Sequence, residues 1–174
     1  MNEEVMVKKF FQAAESNDIR TLKDLLQITP SLANTENEEG LTPLAYAAHF
    51  GQQEAVELLL AFGANVNAVS HSKVSYIPSN TALHAALARE RDLGVIKTLL
   101  EHKAQPNIFD SNGHTCLHTA AFHEDNTDLI HLLMEYGASV TAKVEGGKTA
   151  LELAEAQGNV KIAEQLQGYI IKHQ

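Results

Sequence analysis

The sequence predicts an all-α chain of stacked helix-turn-helix units, and three regularities predict it. Four threonines recur, Thr42, Thr81, Thr115 and Thr149, at separations of 39, 34 and 34 residues. Each is followed two residues on by a leucine (Leu44, Leu83, Leu117, Leu151) and five on by an alanine (Ala47, Ala86, Ala120, Ala154). After the first three, a second apolar run of helical period begins at Val56, Val95 and Leu129. Recurrence at this spacing marks a repeat array, in which each unit buries its apolar face only against its neighbours.

Taken in order, the first unit spans about residues 5–35. Ala13 and Ala14 stand 34 residues before Ala47 and Ala48, and Ile19, Leu22, Leu25 and Leu26 follow at helical spacing. The unit lacks the threonine box and carries Phe10 and Phe11 instead. A terminal repeat has one face without a neighbour and is expected to be atypical. Three full repeats follow at about 36–68, 75–108 and 109–142, and a capping repeat at about 143–170. In that last unit Glu152, Glu155, Gln157 and Gln167 make a polar outer face. Hairpin-like fingers are expected near 33–41, 64–80, 104–114 and 138–148. Residues 1–174 are read as one stand-alone domain rather than a piece of a larger scaffold.

The residue choices have physical reasons. A threonine at a helix start takes up an orphan backbone N–H. Small alanines let neighbouring helices approach closely. Gly40 and Gly113 suit a tight turn of positive φ before the helix, and Gly63 and Gly137 suit the left-handed residue that ends the second helix. Lys103 replaces that glycine in the third unit.

The segment Asp110-Ser111-Asn112-Gly113-His114-Thr115-Cys116-Leu117-His118 resembles the ankyrin repeat, whose signature is roughly D-x-x-G-x-T-P-L-H-x-A, two short helices and then G-A-x-x-N. It departs only in Cys116, which stands where the family has proline. The resemblance covers about residues 5–168 and implies a solenoid of five helix pairs joined by fingers, serving as a protein–protein interaction module. It implies that His84 and His118 bond back to their threonines. It also implies that the first helices and the fingers line a concave face, where the residues seven and eight after each threonine point outwards. Those pairs are His49-Phe50, Ala88-Arg89, Phe122-His123 and Ala156-Gln157. Only 6% of the residues are aromatic and none is tryptophan, so phenylalanine at two of these positions is conspicuous. His49, Phe50, Arg89, Phe122 and His123 are the candidate contacts, since aromatic and arginine side chains anchor interfaces. Tyr46 and Thr119 sit beside them. The competing reading packs Phe50 and Phe122 under the adjacent finger as core.

Departures from the repeat are the second source of candidates. The 39-residue step lengthens the second finger by about six residues over the family's 33. The extra chain carries Tyr76 and Ile77, which either form a gripping tip or fold back onto the finger's base. Ser111 and Asn112 of the third finger complete the candidate set. Turns at Glu90-Arg91-Asp92 and Glu124-Asp125-Asn126 are one residue longer than usual and read as polar connections facing solvent.

Composition narrows the partner class. The chain of 174 residues is 44% hydrophobic and 20% charged, enough for a core and against global disorder. Its net charge of −9 disfavours nucleic acid. Residues 1–60 hold 4 basic and 10 acidic groups; Glu36, Glu38 and Glu39 at the first finger either favour a partner with a basic patch or serve as solvated charges that keep a repeat protein soluble. One cysteine, Cys116, excludes an internal disulfide and fits a reducing compartment. No basic segment followed by an apolar one opens the chain, and no membrane span is read; the expected location is the cytoplasm and the expected state a monomer.

Chemistry is not expected. His114-x-Cys116-x-His118 looks like a metal cluster, yet His118 and Cys116 occupy structural positions of the repeat and should diverge. Gly146-Gly147-Lys148-Thr149 is a turn and not a phosphate loop. No nucleophile stands at a motif beside His123 and Asp125. No cofactor, metal or catalytic residue is assigned. An inhibitor or immunity-type protein blocking one enzyme, or a secreted effector, are the alternative functions; an enzyme ranks below both.

Overall fold

Helices of six to nine residues do not hold in water by themselves, and most helices of this chain are that short. The computed structural model describes residues 1–174 except 89–91, 124–125, 145 and 173–174, together with the side chain of 123. Its helices are α1 (Glu3–Ser16), α2 (Ile19–Ile28), α3 (Pro43–His49), α4 (Gln53–Ala61), α5 (Ala82–Leu87), α6 (Leu93–Glu101), α7 (Cys116–His123), α8 (Thr127–Glu135), α9 (Ala150–Ala156) and α10 (Val160–Lys172). A single 3-10 turn (Pro30–Asn34) follows α2, and no β-strand occurs among the described residues. The architecture is the expected all-helical one of stacked helix-turn-helix units.

Two compact units divide the chain, Met1–Ala104 and Gln105–Gln174. In the first, α1, α3 and α5 pack side by side as an inner row, and α2, α4 and α6 form an outer row behind them. Ala45, Ala47, Ala48, Ala82, Ala85 and Ala86 are buried along α3 and α5. With no side chain beyond Cβ, they let these two helices come together. Leucines fill the space between the rows: Leu22, Leu26, Leu59, Leu83 and Leu99 are fully buried. Each contributes roughly 1.5–3 kcal/mol by leaving water, which is what fixes helices too short to persist alone. In the second unit α7 packs on α9 and α8 on α10, around Leu117, Leu129, Ile130, Leu133, Ile162 and Leu166.

The threonines do what their position demands. Thr42 Oγ1 accepts the N–H of Ala45 at 3.1 Å, and Thr149 Oγ1 that of Glu152 at 3.3 Å. At Thr81 and Thr115 a histidine closes the bracket: the Thr115 N–H donates to His118 Nδ1 at 3.0 Å, and Thr81 Oγ1 lies 2.8 Å from His84 Nδ1. His118 reaches further, its Nε2 lying 2.9 Å from the Ala142 carbonyl oxygen. Because Nδ1 accepts, Nε2 must carry the hydrogen, so this bracket needs the neutral imidazole.

Fingers close by one repeated bond. Asn37, Asp110 and Val144 donate their N–H groups to the carbonyls of Leu41, His114 and Lys148, each four residues on. In the second finger the same bond runs from Ser70 to Asn80, ten residues on. The difference of six matches the long step between Thr42 and Thr81. The longer finger lies against the first: the N–H groups of His71 and Lys73 donate to the carbonyls of Gly40 and Glu39, both at 2.9 Å, and His71 Nδ1 sits 2.9 Å from Glu36 Oε1.

Asparagines tie successive repeats, a feature the sequence reading missed. The Asn34 side chain donates to the Gly63 carbonyl at 3.0 Å, that of Asn67 to Lys103 at 3.1 Å, and that of Asn107 to Gly137 at 2.9 Å. Gly63 and Gly137 have φ +90°, and Lys103 adopts the same left-handed form at φ +70°.

Two tests follow. Gly40 also has a positive φ, +77°, and a Cβ there would run into the His71 carbonyl, whereas nothing lies within 4 Å of one at Gly63. Gly63→Ala should destabilise by about 1 kcal/mol from its φ alone, and Gly40→Ala by at least about 2 kcal/mol in urea unfolding. Equal losses would contradict the docking of the second finger on the first. Burial holds the His118 imidazole below its usual range, against the opposing pull of the Ala142 carbonyl. Below about pH 6.5 the unfolded chain then binds a proton that the folded one refuses, so stability falls with falling pH. The drop between pH 7.5 and 5.5 should be smaller in His118→Gln; an identical drop would refute the neutral bracket.

Candidate partner-binding surface

Helical spacing places Tyr46 and Phe50 on one face of the third helix, four residues apart. Their rings meet at 5.1 Å between centroids. Phe11 of α1 approaches Tyr46 from the neighbouring helix at 5.2 Å, and His49 touches Phe50 at 5.1 Å. All three contacts are edge-on, the geometry that aromatic quadrupoles favour. The inner row of the first unit thus carries a continuous aromatic run, buried at Phe11 and half-buried at Tyr46, His49 and Phe50. The Tyr46 hydroxyl donates to Glu15 Oε2 at 3.4 Å. Burial, and then the Glu15 charge, push that hydroxyl above its ordinary range, so it stays protonated.

Beside this run a groove of about 430 Å³ opens between α1 and the first finger, with Phe11 and Tyr46 in its lining. Its edges are carboxylates. Lys8 Nζ lies 3.0 Å from Glu4 Oε1 and 3.7 Å from Glu38 Oε1, linking the helix to the finger. Hydrogen bonding and charge from Lys8 hold the Glu4 carboxyl below its usual value, and those partners raise the Lys8 ammonium. These pairs are exposed and contribute little to stability; what they establish is the sign of the field in the groove.

The candidate contacts fall at several places. His49 and Phe50 come together in the aromatic run of the first unit. Tyr76 and Ile77 lie on that unit's second finger, in a turn closed by the Ile77 N–H donating to the Val74 carbonyl at 3.1 Å. Tyr76 is 84% exposed, while Ile77 is half-buried. The serine hydroxyls of Ser70 and Ser79 accept the N–H groups of Asn80 and Ser72, so this tip is preorganised. In the second unit Phe122 is 45% exposed, and Ser111 and Asn112 are exposed in a turn that the Asp110 carboxylate organises by accepting the Asn112 and His114 N–H groups. Arg89, the side chain of His123, and Glu90, Arg91, Glu124 and Asp125 of the two long turns lie outside the described residues. Phe11, which carries the aromatic run onto α1, is the residue that the pattern hid, because the first unit has no threonine box to align it.

The His114-x-Cys116-x-His118 segment separates as the repeat requires. Cys116 is fully buried, and burial pushes its thiol far above the usual cysteine range. Both ring nitrogens of His118 are taken by backbone groups. Among the described residues no three histidine, cysteine, aspartate or glutamate side chains gather to hold a metal, and none of the helices is long and apolar enough to cross a membrane.

Comparison with known proteins agrees with this geometry. A family profile described as ankyrin repeats (3 copies) matches residues 10–110 and 88–173. The chain is 34% identical over 150 residues to the nuclear factor NF-kappa-B p105 subunit of Gallus gallus, covering 82% of this chain and 14% of that protein. It is 33% identical over 138 residues to the ankyrin repeat protein FPV031 of Fowlpox virus (strain NVSL), covering 77% and 39%. A shorter stretch of 68 residues is 38% identical to the NAD-capped RNA hydrolase NUDT12 of Homo sapiens, covering 39% and 15%. The chain therefore spans well under half the length of each of these relatives. It belongs to the ankyrin-repeat family, whose repeats generally mediate contacts between proteins.

Proposed function

We propose that the chain binds one partner protein through the concave face of its inner helices together with its finger loops. The observation that carries this reading is the partly exposed aromatic run through His49, Phe50 and Tyr46 on the inner row, in a chain with few aromatic residues. Large, rigid side chains of this kind lose little freedom on binding and anchor interfaces. The exposed tip at Tyr76 in the first unit and Phe122 in the second each present an exposed aromatic ring as well. Arg89, His123, Ile77, Ser111 and Asn112 belong to the proposed contact set. Glu36, Glu38 and Glu39 favour a partner presenting a basic patch. The proposed location is the cytoplasm, since a chain with one cysteine fits a reducing compartment.

Capture from a lysate of the source cell, read by mass spectrometry, supplies the partner. Phe50→Ala combined with Phe122→Ala should then weaken binding by about 2 kcal/mol or more while urea unfolding is little changed. Tyr76→Ala tests the finger separately. An unchanged affinity in the folded double variant would remove the concave face from the interaction.

A further inference from the structure

The groove between α1 and the first finger combines an apolar floor with an acidic rim. Its floor is apolar: half-buried Val7 and Tyr46 stand there beside buried Phe11, so Tyr46 is the aromatic ring open to an incoming group. Its carboxylates, Glu3, Glu4, Glu36, Glu38 and Glu39, face a single ammonium, that of Lys8. An apolar trough edged by negative charge repels an acidic or a purely apolar segment, since it leaves carboxylates desolvated and unpaired. A flat cation suits it. Guanidinium stacks on aromatic faces, is weakly hydrated, and pairs with carboxylates through two parallel N–H bonds, all of which an ammonium does less well.

Lys8 shows that the carboxylates can converge on a cation. It reaches across from the helix, 3.0 Å from Glu4 and 3.7 Å from Glu38, and so occupies part of the space an incoming cation would use. On the other side, Glu36 is engaged by His71 of the second finger, which leaves Glu38 and Glu39 as the carboxylates of the finger's exposed edge. The groove adjoins the aromatic run, because Tyr46 lines the one and belongs to the other.

We propose that this groove receives an arginine side chain from a basic segment of the partner, with Lys8 as a built-in competitor for the same carboxylates. The inference rests on the reading of the first unit's inner face as a contact surface, and it adds the chemistry of the residue that seats there. Specificity would follow from the pairing: an acidic segment is excluded by charge, and lysine binds more weakly than arginine.

The test is titration of the isotope-labelled full chain with an acetylated, amidated Gly-Arg-Gly-Arg-Gly peptide, followed by NMR. Amide shifts should concentrate at residues 4–12, 35–39 and 46, and rising salt should weaken the complex. Glu38→Gln with Glu39→Gln should weaken it by about tenfold, and Lys8→Gln should tighten it about threefold. The corresponding lysine peptide should bind about threefold more weakly than the arginine one. All substituted positions are exposed, so the variants are expected to give the wild-type pattern of dispersed amide signals. Shifts elsewhere, an unchanged or weakened complex in Lys8→Gln, or equal binding of the lysine peptide would each overturn the proposal. If the peptide fails while capture of the natural partner still depends on Phe50 and Phe122, the groove assignment falls alone. If the peptide behaves as expected while capture ignores those phenylalanines, the groove stands and the wider concave reading falls.

Discussion

Each inner helix after the first begins at a threonine, and the placement of everything else in the repeat follows from that bracket. A helix of six to eight residues leaves most of its backbone N–H groups without helical partners, so the start of the helix is where it is weakest. Thr42, Thr81 and Thr149 take up those donors through their hydroxyls, and His84 and His118 lock the threonine in turn. Once the start is fixed, the leucine two residues on is buried in the core at Leu44, Leu83 and Leu117 and half-buried at Leu151 of the last unit, and the alanine five on is buried in all four. The finger before the threonine is fixed by the same anchor, because its closing carbonyl belongs to the preceding residue. His118 adds a tie to the backbone of the following finger at Ala142, which makes the repeat and its successor one hydrogen-bonded piece.

Departures from the repeat sit where this framework carries no load. The six extra residues of the second finger enter between Ser70 and Asn80, inside the closing bond rather than across it. Loop closure grows only slowly more unfavourable with length, so an insertion at that point is cheap. Aromatic residues at His49, Phe50 and Tyr46 likewise replace nothing that the caps or the core need. The same scaffold can therefore carry a changed surface, which is how one family serves many partners. In this chain the changes concentrate aromatic and acidic groups on the first unit.

How much of this could be read from the sequence depended on whether a feature repeats. Thr42, Thr81, Thr115 and Thr149 recur, so their caps, the leucine core and the positive φ at Gly40, Gly63, Gly113 and Gly137 were all legible. Lys103 was legible as an exception, and it takes the left-handed backbone that its neighbours leave to glycine. Asn34, Asn67 and Asn107 also recur, at steps of 33 and 40 residues, and could have been found by the same alignment. Phe11 was hidden because the first unit lacks the box that would place it opposite Tyr46. The split between Tyr76 and Ile77, one exposed and one half-buried, depends on a turn whose bonds run through Val74 and two serines, and periodicity says nothing about such a turn. The groove was invisible for a different reason: it joins residues 3–12 to 35–46, and only packing brings those segments together.

The central claim is that the inner helices and fingers face the partner while the outer helices hold the stack. Hydrogen–deuterium exchange of the full chain, alone and with its captured partner, tests this without any substitution. Binding should slow exchange at the fingers, around residues 35–41, 71–79 and 108–114, and at the ends of α3 and α7. Slowed exchange confined to the outer helices α2, α4, α6, α8 and α10 would contradict it.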